Sequence, residues 1–101
     1  MRAILDLPKE WLACASLFVA LGDPVRQRIL LAFEPSERLN ILQIVAASTL
    51  SRTAITHHLK VLQQSGALKS EKIGKEVFFW VDKQVILAHI NAVTQFIETE
   101  I

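Results

Sequence analysis

Apolar residues recur along this 101-residue chain with a period that switches from helical to strand-like and back. From Trp11 to Leu21 only Cys14 and Ser16 interrupt an apolar run that has no polar face. Pro8 suits the first turn of a helix there, and Gly22 suits its end. A helix apolar all round must be covered on several sides. In so short a chain, a partner subunit is the expected second cover. Asp23-Pro24 then reads as an N-cap followed by proline at the first helical position. The second helix turns Val25, Ile29, Leu30 and Phe33 inward, carries Arg26, Gln27 and Arg28 as polar members, and ends at Pro35. Asn40, with Gln43 three residues on, has the spacing of a capping box for a short third helix over 41–47.

After the turn Ser48-Thr49-Leu50, Ser51 caps a fourth helix that runs to Gln64 and stops at Ser65-Gly66. Ile55, Leu59 and Leu62 face inward on it; Arg52, Thr53, Thr56, His57 and Lys60 face outward. Beyond Gly66 the period shortens. Ala67 to Ile73 predicts a strand, Gly74-Lys75 a hairpin turn, and Glu76 to Val81 the returning strand, with Phe78 and Trp80 on one face and Phe79 on the other. Asp82 caps a last helix to Thr99, with an apolar stripe through Val85, Ile86, His89, Ile90, Ala92, Val93, Phe96 and Ile97. The order α-α-α-α-β-β-α is mainly α with a small β-hairpin, a winged helix-turn-helix. One such domain is expected over residues 1–101.

Hydrophobic residues make up 51% of the chain and charged residues 21%, enough to fold and to leave apolar surface over for a subunit interface. The net charge of +1 is uninformative, but its distribution is not. Between Ser51 and Lys75 five cations (Arg52, Lys60, Lys69, Lys72, Lys75) meet one carboxylate, Glu71, so the rest of the chain is net negative. A basic stretch on a near-neutral chain is a candidate phosphate-facing surface. The lone Cys14 excludes an internal disulfide and a CxxC motif, and suits a reducing cytoplasm. The apolar run from Trp11 is too short to span a bilayer, and Asp6 and Glu10 stand where a secretion signal carries positive charge. No membrane partner is expected. With no glycine-rich phosphate loop, no nucleophile beside a base and no paired carboxylates, the chain does not read as an enzyme, and nothing in it calls for a cofactor.

The candidate partner is double-stranded DNA. An α-helix fits the major groove, and side chains of its first turns reach base edges. Arg52 follows the cap directly, where its fork can take guanine acceptors or a phosphate. Thr53 and Thr56 offer hydroxyls and methyls, His57 a donor and an acceptor, and Lys60 a phosphate contact further along. Lys75 at the wing tip, with Lys72 and Lys69 along the strand, can reach the flanking backbone. Any one of these residues alone is ordinarily solvated. The functional reading rests on their order: cap, basic helix, glycine stop, strand, Gly-Lys turn, strand.

The stretch Ala20-Leu21-Gly22-Asp23-Pro24-Val25-Arg26-Gln27-Arg28-Ile29-Leu30 resembles the opening of ArsR/SmtB-family repressors. So do the run from Leu50 to Leu62, the segment Ser65-Gly66-Ala67-Leu68, and the wing from Lys72 to Phe79. The resemblance covers about residues 16–98. It implies a homodimer paired through the first and last helices, bound to an inverted-repeat operator and repressing until an effector intervenes. By position it assigns DNA reading to Arg52, Thr53, Thr56, His57 and Lys60, with the wing around Lys72 and Lys75. The implied interface residues are Trp11, Leu12, Ala15 and Phe18 on the first helix and Ile86, His89, Ile90, Val93 and Ile97 on the last.

The departures concern the effector. Family members that sense metal through a cysteine pair carry it on the helix that here reads Ile41-Leu42-Gln43-Ile44, where no thiolate is available. Others use a last-helix Asp, His, His, Glu set, which here is Asp82, Gln84, Gln95 and Glu98; glutamine does not replace imidazole for zinc. No metal site is therefore expected, Asp82 is left as a cap and Glu98 as a solvent-facing charge. His57 and His58, about 100° apart on a helix, do not chelate one ion together. His58 is expected to pack inward, His89 to be a buried or interface histidine, and Cys14 to be inert. Two alternatives stand beside DNA binding: a winged-helix module that pairs with proteins, suggested by the surplus apolar surface, and a metal sensor with a non-standard site using His89, Asp82 or Glu98.

Overall fold

Side-chain caps mark four of the five helix starts. The computed structural model describes residues 1–4 and 6–101. Helix α1 (Lys9–Leu21) begins after Pro8, whose carbonyl accepts the N–H groups of Trp11 and Leu12. The proline precedes the helix as its cap and does not sit in the first turn. Asp23 starts α2 (Pro24–Ala32) by accepting at Oδ1 from the backbone N–H of Val25 at 2.7 Å and of Arg26 at 3.3 Å. The capping box at α3 (Ile41–Ala46) is reciprocal: Gln43 N–H donates to Asn40 Oδ1 at 2.9 Å, and Asn40 N–H to Gln43 Oε1 at 2.8 Å. Ser51 Oγ accepts from Ala54 N–H at the start of α4 (Arg52–Gln64), and Asp82 Oδ1 from Val85 N–H at the start of α5 (Lys83–Glu100).

The sheet holds one strand more than the sequence pattern announces. Leu39–Asn40 forms a two-residue β1 that pairs antiparallel with β3 (Glu76–Val81), setting Leu39 opposite Phe79 and Asn40 opposite Phe78. With β2 (Leu68–Ile73) on the other edge, the order is β1-β3-β2. Two residues cannot display a period, so nothing in the local pattern marks β1. It nevertheless ties the wing's inner strand to the entrance of α3.

The core joins Leu17 and Ala20 of α1, Ile29 of α2, Ile44 of α3, Ile55, Leu59 and Leu62 of α4, and Leu68 and Phe79 of the sheet. Phe79 is buried while Phe78 and Trp80 on the opposite face are half-buried, as the alternation along β3 requires. On α1 only Cys14, Leu17 and Ala20 are buried by this chain, so one face of an all-apolar helix is covered and the rest is open. Helix α5 packs along α1, where the Cys14 thiol donates to the carbonyl of His89 at 3.3 Å.

Candidate nucleic-acid interface

Helix α4 is divided cleanly between core and solvent. Ile55, Leu59 and Leu62 are buried at four- and three-residue spacing, and Arg52, Thr53, Thr56, His57 and Lys60 are all exposed. Thr56 donates its hydroxyl to the carbonyl of Arg52 at 2.8 Å, which leaves oxygen lone pairs and a methyl for an outside partner. His57 lies in solvent, while its neighbour His58 is half-buried and turned to α2, the two rings 5.7 Å apart.

At its far end α4 is joined to the wing. Gly66 adopts φ +83°, a left-handed value that favours glycine, and the chain turns there into β2. Gln63 Nε2 donates to Ser70 Oγ on β2 at 2.6 Å, which fixes the strand against the helix. Ile73 pairs with Glu76 across the two-residue turn Gly74-Lys75, with Gly74 at φ +62°, the position a type II′ turn reserves for glycine. Lys72 and Lys75 are exposed on this hairpin.

Ion pairing sharpens the positive character of the segment. Glu71, its one carboxylate, is held at 2.8 Å by Arg38, whose guanidinium also lies 3.9 Å over the Trp80 ring. Lys69 approaches Asp82 at 4.0 Å, at the root of α5, and so turns away from the wing tip. Among the described residues Arg52, Lys60, Lys72 and Lys75 enter no ion pair. Arg38 lies outside the basic stretch, and sequence reasoning missed it. Its partners Glu71 and Trp80 lie far along the chain, and no local spacing signals them.

The residues expected at a subunit interface fall into two groups. Leu12, Ala15, Phe18, Ile90 and Ile97 are exposed, whereas Trp11, Ile86 and His89 are half-buried and Val93 is buried within the chain. Trp11 lies edge-on to Phe18 and to Phe96, so it already serves the packing of α1 on α5. Burial pushes the Cys14 thiol above its ordinary range, which disfavours the thiolate. Gln84, Gln95 and Glu98 are exposed, and Asp82 is occupied as a cap. Among the described residues no three His, Cys, Asp or Glu side chains gather where they could hold a metal ion, and no helix is long and apolar enough to cross a membrane.

A tight helix-turn-helix followed by a lysine-tipped hairpin defines a winged helix-turn-helix protein. The profile of bacterial regulatory proteins of the arsR family matches residues 23–70, from the α2 cap into β2. A transcriptional repressor SmtB homolog of Synechocystis sp. is 32% identical over 65 residues, 64% of this chain and 48% of that protein. An HTH-type transcriptional regulator of Methanocaldococcus jannaschii is 30% identical over 67 residues, 66% of this chain and 75% of that protein. The solved structure of an ArsR-like transcriptional regulator from Rhodococcus sp. matches with a TM-score of 0.76 at 26% identity, over 85% of this chain and 80% of that one. The chain belongs to the arsR family of bacterial regulatory proteins. These relatives are transcriptional regulators, not enzymes. The chain spans about half the length of the SmtB homolog it matches.

Proposed function

We propose that this chain is a DNA-binding transcriptional repressor that acts as a homodimer on an inverted-repeat operator in the cytoplasm. The observation that carries the reading is the set Arg52, Lys60, Lys72 and Lys75: exposed, free of ion pairs, and presented by one capped helix and the hairpin behind it. Unpaired cations of this kind meet phosphates and release counterions, while Arg52, Thr53, Thr56 and His57 stand where a helix in the major groove reads bases. Two copies joined through α1 and α5 would set two such helices on neighbouring turns of a duplex. The releasing signal is not a metal bound at the family's usual positions, because Ile41-Leu42-Gln43-Ile44 supplies no thiolate and Gln84 and Gln95 stand where the last-helix set has its histidines.

Fluorescence anisotropy on operators selected from genomic duplex fragments tests this. Arg52→Ala should cost about 1–3 kcal/mol at the selected operator and relax its base preference. Lys75→Ala should weaken all sequences alike and lower the salt slope by about one. A flat curve on duplex DNA at low salt, or unchanged affinity and slope in both variants, overturns the proposal.

A further inference from the structure

Helix α1 ends against a guanidinium. Arg26 donates from Nε to the carbonyl of Ala20 at 2.9 Å and from Nη2 to that of Val19 at 3.1 Å, while Nη1 stands 3.2 Å from His58 Nδ1 on α4. Gln27 donates to the carbonyl of Leu21 at 2.6 Å. Side chains of α2 thus meet the last carbonyls of α1, those of Ala20 and Leu21 and, beside the Gly22 N–H, that of Val19, and a cation sits at the negative end of the α1 dipole. The Arg26 side chain is only 11% exposed, with Asp23 Oδ2 at 3.7 Å completing the corner.

Arginine offers donors only and keeps its proton in a protein. The contact with His58 is a hydrogen bond only where Nδ1 accepts, the tautomer that carries its proton on Nε2. The apolar contacts of Ile55, Leu59 and Leu62 hold α4 in the core without direction, whereas this bond has a required geometry. It joins α4 to the same guanidinium that grips α1.

We propose that Arg26 and His58 are positioning residues for DNA reading: they lock the bearing of α4 on the end of α1, so that α1 sets the separation of the two recognition helices in the dimer. The proposal rests on the DNA-binding dimer argued above. Neither side chain needs to touch a base; they act through the placement of Arg52, Thr53, Thr56 and His57.

Two readouts test it on the full chain. The ¹⁵N shifts of the His58 ring, measured without DNA, should show Nδ1 unprotonated and Nε2 protonated, and should move in Arg26→Lys, which keeps the charge but lacks the fork. Binding is then measured on the wild-type operator and on duplexes with its half-sites one or two base pairs closer or further apart. His58→Phe, which keeps a ring but no acceptor, should lose about tenfold at the operator, the scale of one charge-assisted hydrogen bond. Its preference among spacings should flatten while its salt slope and non-specific affinity stay unchanged. His58→Asn, which returns an oxygen near the Nδ1 position, should recover most of the loss. Should His58→Phe fail to give a cooperative melt, Arg26→Lys carries the same binding comparison. A ring protonated at Nδ1, an unchanged spacing profile in the phenylalanine variant, or an asparagine variant equally impaired overturns the proposal and leaves DNA binding standing. A wild-type chain that selects no operator overturns the DNA reading and this proposal with it.

Discussion

Asp23 links a helix start, an arginine and a histidine within one corner. Burial pushes its carboxyl up, but the N–H groups of Arg26 and Val25 and the charge of the Arg26 guanidinium hold it below the usual carboxylate range. A folded-state value depressed below the unfolded one, about 3.9, means that the ionised form stabilises the fold. That contribution is complete above the unfolded value and is lost as pH falls through the folded one. Asp23→Asn keeps a capping oxygen and removes the charge, so it isolates the electrostatic part. Urea melts at a series of pH values should show the wild type more stable than Asp23→Asn at neutral pH, with the gap closing below about pH 4. A gap that persists unchanged to the acid limit would mean that the charge contributes nothing.

Among the elements, the wing depends on two glycines whose surroundings differ. Gly66 combines φ +83° with a position where an added Cβ would meet Val85 Cγ1 at 3.0 Å. Gly74 has φ +62° and open space around it. Alanine at 74 should cost about 1 kcal/mol from left-handed backbone strain alone. Alanine at 66 meets the same strain and must also displace a β-branched side chain of α5, so it should cost more. Denaturant midpoints of the two variants check the order, and equal losses would show that the Val85 contact yields freely. These glycines were legible because each stands at the end of a periodic run, as were the caps Asp23, Asn40, Ser51 and Asp82, whose partners lie within three residues. What stayed hidden depends on residues far apart in the chain. Strand β1 exists only because β3 offers an edge to Leu39 and Asn40. Arg26 reads locally as a polar residue of an amphipathic helix, and its role appears only once α1 and His58 are folded around it. The outward face of α4 was readable in full; the neutralisation of Glu71 by Arg38 and the diversion of Lys69 to Asp82 were not.

At the scale of the whole molecule, the chain is long and leaves apolar surface open. Its radius of gyration is 15.9 Å and its longest extent 53 Å, against about 13 Å for the radius of gyration of a compact domain of this size. The elongation goes with two helices packed along each other that keep apolar residues in solvent: Leu12 at 64%, Phe18 at 41%, Ile90 at 39% and Ile97 at 46% exposure. A second copy applied to the same face would cover both sets at once, as a two-fold contact does. Leu12→Glu and Ile97→Glu each place a carboxylate on that face without touching the core residues that hold the monomer together. Sedimentation should show a wild-type dimer and variants shifted to monomer that still melt cooperatively. The wild-type melting temperature should rise with protein concentration, and that dependence should vanish in the variants. Operator affinity should then fall far more than non-specific affinity, because one recognition helix reads only one half-site. A wild-type chain that sediments as a monomer while binding its operator tightly would show that α1 and α5 cover something other than their own copy.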